Sequence, residues 1–301
     1  MSEHKAETAQ PGPLRPVVPY HGSKGRLAKW IAGLLPPHRI YVEPFVGSAA
    51  ALLAKRPAVH EVVNDIDGDV VNFYRMLRDR PADLEQACRM TPYARDEFYA
   101  ADLREAGIDD LERARRWWIR VTQGFGAITR AGNGWALSTR QGGSDAGAVA
   151  NRRAQLEAVA ERFSRVAIEN RDACEVIEAH ATPETVVYAD PPYLGGTREM
   201  HSTKAYAHEM TSEDDHRRLA VTLHETPATV LLSGYHSSLY DELYGDWHCI
   251  ERSVTRSSSN GRSATRPKVA EVIWANRDLT AHDDQLVLSG LVSSPEEQAT
   301  S

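Results

Sequence analysis

Cysteine is scarce in this 301-residue chain. Cys88, Cys174 and Cys249 are odd in number and far apart. They offer no paired metal-ligand or redox spacing and point to a reduced, cytoplasmic setting. Long apolar runs are also missing. No stretch approaches the ~18 uncharged apolar residues of a membrane span, and the opening MSEHKAETAQPGP lacks the apolar segment of a secretory signal. The twelve histidines show no HExxH or related spacing, so no metal is expected. The GxGxxG fingerprint is absent, which disfavours NAD. What is present is ordinary globular material, 42% hydrophobic and 26% charged. That is ample for a sizeable core and excludes a mainly disordered, collagenous or coiled-coil chain.

The net charge of −7 argues weakly against a nucleic-acid binder, but its distribution is uneven. Residues 112–165 hold ten arginines against four acids, a net of +6. Residues 252–268 hold four arginines and one lysine with no acid. The last 21 residues hold four acids and no Lys or Arg. One basic run alone reads equally well as a solvated face. Two such runs, almost wholly of arginine, favour phosphate contact.

Residues 1–15 and 280–301 read as disordered tails, the second acidic. Short apolar runs at 39–43, 60–64, 166–169, 185–189, 228–233 and 269–275 predict strands, with helices between them. Val70 to Arg80 predicts a helix stopped by Pro81. Residues 82–124 and 146–162 are helical in pattern, and FGAITRAGNGWALSTRQGG at 125–143 carries a hairpin signal. Thr211 with Asp214 three residues on predicts a cap for a helix to about Glu225. Strands alternating with helices on both sides of a helical block imply an α/β fold, a parallel, doubly wound sheet with an inserted helical domain.

Two motifs carry chemistry. EPFVGSA at 43–49 joins a strand end to a helix start, where Gly47 lets the backbone approach a ligand. Asp65, eighteen residues beyond Gly47, directly follows the second strand and is spaced to accept hydrogen bonds from ribose hydroxyls. Alone, one Gly and one Asp are common in α/β chains. DPPY at 190–193 is sharper: it follows the apolar strand TVVYA, at the carboxyl end where open α/β sheets bind ligands. Consecutive prolines force Asp190 and Pro191 into extended backbone. The Asp190 carboxylate and the Pro191 carbonyl can then face one amino group bearing two hydrogens, with Pro192 holding the turn and Tyr193 offering a flat face for stacking.

YHGSK at 20–24, the FVGSA segment, Asp65 and DPPY, in this order and followed by KVAEVIWAN at 268–276, resemble the Dam-like, DPPY-containing S-adenosylmethionine-dependent DNA adenine-N6 methyltransferases over roughly residues 16–278. The resemblance implies a Rossmann-like methyltransferase sheet built from 16–76 and 165–279, with a mostly helical target-recognition insertion at 77–164. It implies S-adenosylmethionine (SAM) as methyl donor, contacted by Tyr20, Lys24, Phe45, Gly47, Asp65, Asp190 and, by a looser match, Asp172. Asp190 to Tyr193 would hold a flipped adenine, because the amine cannot be reached inside a duplex. Double-stranded DNA is the implied partner of a cytoplasmic chain acting as a monomer, with neither metal nor membrane. Arg115, Arg116 and Arg120 would contact phosphates, and Arg130, Asn133 and Trp135 on the hairpin would reach base edges or fill the gap left by the flipped base. For those last three, ordinary turn chemistry and a packed tryptophan is the alternative. Two departures stand out: Ala49 where the family has a second glycine, and Tyr20 where its aromatic is often Trp. Cytosine-N4 or RNA-adenine methylation, and a catalytically silent DNA-binding module, stay open. DPPY leans to adenine, and intact DPPY with Lys24 and Asp65 argues against silence.

Overall fold

The computed structural model describes residues 14–20, 23–127, 133–137, 145–192, 210, 212–255 and 268–279. These fall into two compact units. One takes in the described parts of Met1–Ala32, Gly47–Pro57 and Asp67–Val166; the other those of Gly33–Val46, Ala58–Ile66 and Ala167–Ser301. No helix among the described residues is long and apolar enough to cross a membrane.

The second unit carries a seven-stranded sheet. Its strands are β1 (Ile40–Glu43), β2 (His60–Asn64), β3 (Val166–Glu169), β4 (Thr185–Ala189), β5 (Thr229–Gly234), β6 (His248–Thr255) and β7 (Lys268–Ala275), in the order β3-β2-β1-β4-β5-β7-β6. β1 pairs in parallel with β2 and β4, and β4 with β5. β7 runs antiparallel to both β5 and β6. The sheet is therefore mixed, where the sequence predicts all-parallel strands. β6 is not expected at all, because HCIERSVT mixes polar and apolar residues and its Arg252 reads as the start of a basic loop. As an edge strand it needs no continuous apolar run.

The central strands are short runs of Val, Ile and Leu because both faces are buried. One face, built by Val42, Val62, Val187, Ala189, Val230, Leu232, Val272 and Trp274, packs into a core with residues of α9 (Ala173–His180), α10 (Glu213–Glu225) and α11 (Ser238–Tyr244). The cap of α10 is Ser212, whose hydroxyl accepts from the Asp215 amide at 3.1 Å. This is one residue later than predicted, and Thr211 lies outside the described residues.

The first unit is helical. α3 (Gly68–Asp79) follows Asp67, whose carboxylate accepts from the Asp69 amide at 2.9 Å. Pro81 ends α3 as expected, but by occupying the first turn of α4 (Pro81–Met90), where its missing N–H costs nothing. α5 (Arg95–Ala100), α6 (Asp110–Gln123), α7 (Asp145–Arg153) and α8 (Leu156–Phe163) follow, with α1 (Ala28–Leu34) and α2 (Ala50–Ala54) earlier in the chain. The apolar stripe of α3 buries against α6 and α8. Phe73 lies 5.1 Å from Trp117, and Tyr74 stacks on Phe163 at 4.5 Å.

Candidate functional site

In the second unit, parallel pairing puts the carboxyl ends of β2, β1, β4 and β5 on one edge of the sheet. Chain order reverses between β1 and β4, and such a switch point opens a crevice outside the strand ends. Glu43 and Phe45 follow one side of it and Asp190 the other. Asp190 is half-buried, one residue beyond the Ala189–Leu232 pairing, and Pro191 is buried. Two phenols sense the Asp190 charge. Burial first, and then that charge, raises Tyr188 well above the usual tyrosine range; Tyr240 is raised by burial, then by Tyr244, and then by the Asp190 charge. Both stay neutral, Tyr188 bonded to Ser233 at 2.8 Å and Tyr240 to His216 Nδ1 at 3.2 Å. Tyr193 and Arg130 lie outside the described residues.

The edge is tied together by two asparagines that sequence reasoning passes over. Asn64, 1% exposed, donates from Nδ2 to the carbonyls of Pro44 (3.0 Å) and Arg171 (3.1 Å) and accepts the Arg171 amide at 2.9 Å. The Val46 amide also donates to the Asn64 carbonyl, at 2.8 Å. One side chain thus joins the segments that follow β1, β2 and β3. Asn170 donates to the Asp65 carbonyl at 2.8 Å and fixes the backbone that carries the buried Asp65. The only signal in the sequence was polarity where a strand end should be apolar. Asp172 is engaged structurally: it accepts the Cys174 amide at 3.0 Å, capping α9, and pairs with Arg218. Burial pushes its carboxyl up, but the Arg218 hydrogen bond and charge, with the cap, outweigh this and hold it below the usual range.

In the first unit the segment at 20–24 and the glycine loop meet. The Ser23 and Ser48 hydroxyls are 2.7 Å apart, and the Tyr74 hydroxyl donates to the Gly47 carbonyl at 3.0 Å. Gly47 has φ +43°, and a Cβ there would lie 2.8 Å from Cδ1 of Tyr20. The close approach that requires glycine is thus made, within this unit, by the Tyr20 ring. Lys24 is buried. Ala49 is left-handed, φ 56° and ψ 30°, at the start of α2. That conformation suits the glycine of the resembling family and costs an alanine about 1–2 kcal/mol.

The arginines of α6 are placed differently from expectation. Arg115 donates to Glu112 at 2.7 and 2.8 Å, to Thr91 at 3.0 Å and to Glu97. Arg116 donates to Glu112 at 2.7 Å, to the Asp102 carbonyl at 2.8 Å and to Glu105. Arg120 lies 4.2 Å over the Phe98 ring, and burial lowers its affinity for the proton. All three are spent holding α5 and the chain after it on α6. An α-helix that begins DLERARR puts Glu112 three and four residues before these arginines, and i,i+3 and i,i+4 pairs close on themselves. The base of the expected hairpin is present: Phe125 N bonds Gly134 O at 2.9 Å and Ala136 N bonds Gln123 O at 2.8 Å. Asn133 donates to the Phe125 carbonyl at 3.0 Å. Trp135 packs 5.3 Å from Tyr93, under the Arg95 guanidinium at 5.0 Å. Phe125 and Leu137, which the sequence reading did not single out, stand exposed at this base.

Comparison with known proteins gives a consistent picture. The model of the family described as D12 class N6 adenine-specific DNA methyltransferase matches residues 20–258. The Type II methyltransferase M1.LlaDCHI of Lactococcus lactis subsp. cremoris is 26% identical over 275 residues, 87% of this chain and 95% of that relative. A DNA adenine methylase of Vibrio cholerae serotype O1 is 27% identical over 272 residues, 86% of this chain and 95% of the relative. The DNA N-6-adenine-methyltransferase of Escherichia phage P1 is 26% identical over 267 residues, 86% of this chain but 35% of that longer protein.

Proposed function

Because the chain belongs to the D12 class N6 adenine-specific DNA methyltransferase family, we propose that Asp190, Pro191, Pro192 and Tyr193 hold a flipped adenine at the carboxyl edge of the sheet. The enzyme transfers a methyl group from SAM to adenine N6 in DNA. The observation that carries the proposal is the position of Asp190, at the end of β4 and beside the β1–β4 switch point.

Each unit has residue types suited to SAM. In the second, Asp65 would offer a carboxylate to the ribose hydroxyls and Phe45 an apolar wall to the methionine side; in the first, Lys24 would offer an ammonium to the methionine carboxylate, with Tyr20 and Gly47 as further contacts. Asp172 lies at the adenine side in the same assignment, although its carboxylate already serves a cap and Arg218. When bound, SAM supplies an electrophilic methyl on a sulfonium.

The remaining work falls to the chain's own groups. The exocyclic amine of adenine is a poor nucleophile because its lone pair is delocalised into the ring. The Asp190 carboxylate and the Pro191 carbonyl accept its two N–H bonds and draw the nitrogen towards tetrahedral geometry, so that the lone pair points out for in-line attack. Holding the partners about 3–3.5 Å apart supplies much of the acceleration. The Asp190 charge also stabilises positive charge that grows on the nitrogen. The buried, neutral Tyr188 and Tyr240 provide a fixed polar surrounding without competing as anions. Tyr193 serves as the stacking surface for the base.

Within the same proposal, residues 77–164 read the DNA through the hairpin with Arg130, Asn133 and Trp135, while Arg115, Arg116 and Arg120, expected on phosphates, hold α5 and the chain after it on α6. The protein acts as a monomer on double-stranded DNA in the cytoplasm. Protection of a recognition site against a cognate nuclease fits the Type II name of the lactococcal relative.

The test is transfer of tritium from labelled SAM to plasmid DNA, followed by nucleoside digestion and long-read mapping of the modified positions. N6-methyladenine at one short site is expected. Asp190→Ala should abolish transfer while DNA binding persists, since the lost acceptor acts most in the transition state. A variant retaining more than about a tenth of wild-type kcat, a difference of about 1.4 kcal/mol, would sink the catalytic assignment.

A further inference from the structure

His236 follows β5 by two residues, and Cys249 and Glu251 alternate along β6, so both point to one face of the sheet. Their ligand atoms all lie within 4.8 Å of one another. His236 Nε2 is 3.0 Å from Glu251 Oε1 and 3.9 Å from Cys249 Sγ. We propose that His236, Cys249 and Glu251 form a site for one divalent, borderline-soft cation, zinc above all, separate from the adenine chemistry.

The geometry supports this in three ways. A tetrahedral zinc ion with bonds of about 2.0–2.3 Å sets neighbouring ligand atoms about 3.5 Å apart. For the two pairs made by His236 Nε2, distances of 3.0 and 3.9 Å bracket that value, and the third pair lies within 4.8 Å, so shifts of about one ångström or less close the site. The donor set, thiolate, imidazole and carboxylate, is one that suits zinc, and exposure of all three residues leaves the fourth position to water. The other ring nitrogen is already oriented: His236 Nδ1 lies 3.0 Å from Asp241 Oδ1. A carboxylate on the distal nitrogen fixes the tautomer that turns the Nε2 lone pair towards a metal. The ring is also held edge-on to Trp274 at 5.3 Å, and Trp274 pairs in register with Cys249.

The proton balance is simple. Binding forms S–metal, N–metal and O–metal bonds. The Cys249 thiol releases its proton to solvent, and any proton held between Nε2 and Glu251 leaves as well. Nothing is oxidised or reduced. The thiolate and Glu251 cancel the cation's two charges. The sequence shows no sign of this site because His236 lies 13 and 15 residues from its partners, and only the β5–β7–β6 arrangement brings them together. The ion would staple the segment after β5 to the edge strand. β5 ends at Ser233 and Gly234, next to Asp190, so the staple would steady one wall of the carboxyl edge.

Untagged full-length protein, freed of metal by a chelator, would be titrated with zinc chloride by calorimetry and with cobalt(II) by absorption. One zinc per chain is expected, with a near-ultraviolet thiolate-to-cobalt band that Cys249→Ser removes. His236→Gln and Glu251→Gln should each weaken zinc binding at least tenfold. Asp241→Asn, which leaves every ligand in place, should weaken it by about 10–100-fold. Circular dichroism checks that each variant stays folded. Absence of saturable binding, a band that survives Cys249→Ser, or unchanged affinity in His236→Gln would overturn the proposal and leave the cluster as an ion pair of His236 with its two carboxylates.

Discussion

Replacing Asn64 by aspartate keeps the shape of the side chain and reverses what it offers its neighbours. The Nδ2 group donates to the Pro44 and Arg171 carbonyls at 3.0 and 3.1 Å, and Asn64 is only 1% exposed. A carboxylate in its place has no hydrogen to give and sets a negative charge against two carbonyl oxygens. Two hydrogen bonds are lost, each about 0.5–1.5 kcal/mol net, and the unpaired carbonyls add about 1–3 kcal/mol. We expect Asn64→Asp to destabilise the protein by about 3–5 kcal/mol at pH 7. With m of about 2–3 kcal/mol/M, the urea midpoint falls by on the order of 1–2 M. The penalty depends on pH in a defined direction. The folded environment disfavours the charged form, so the introduced carboxyl titrates above its unfolded value of about 3.9. Between the two values the native state holds a proton that the unfolded state lacks, so stability is lost as pH rises through the folded value. A protonated acid can also donate one of the two missing bonds. The difference from wild type should therefore shrink on going from pH 7 to pH 4.5, measured by urea titration of both proteins at each pH. A penalty below about 1 kcal/mol at pH 7, or one no smaller at pH 4.5, would refute the view that Asn64 works as a double donor.

Gly47→Ala should cost about 1–4 kcal/mol, from the left-handed φ and from displacement of the Tyr20 ring. In a Tyr20→Ala background the ring contribution vanishes, and an equal cost in both backgrounds, read from urea midpoints, would show that the ring does not impose the glycine. Asp65→Ala should raise the Kd for SAM by the equivalent of about 1.5–3 kcal/mol, the loss of a charged acceptor, and barely change DNA binding. Calorimetry with SAM alone checks this, and an unchanged Kd would remove Asp65 as the ribose ligand. Arg115→Gln should lower stability by about 1–3 kcal/mol, because Glu97 and Glu112 lose their shared partner. It should leave the salt dependence of DNA binding intact; a drop in slope near 0.9 would instead reveal a phosphate contact.

Much of the sheet was legible in the chain because central strands buried on both faces must be short and apolar. The runs at 60–64 and 185–189 are strands with the predicted ends, as is the shorter edge run at 166–169. Local rules also carried helix boundaries, with Pro81 stopping α3 as expected and a hydroxyl capping α10, although Ser212 rather than Thr211 does so. The ordered YHGSK, glycine loop, Asp65 and DPPY carried the resemblance that the family model over residues 20–258 bears out. Tertiary structure decided what depends on partners far away in sequence. β7 lies between β5 and β6 and runs against both, a choice made by pairing between separate chain segments and not by composition. Asn64 looked like an unremarkable strand end until Arg171, 107 residues away, supplied its partners. Arg115 and Arg116 counted as free positive charge only until the helix turned Glu112 onto them and packing brought Glu97 and Glu105 alongside. A sequence records charge and polarity one residue at a time, whereas the direction in which a side chain spends them is set by which neighbours the fold brings within about 3 Å.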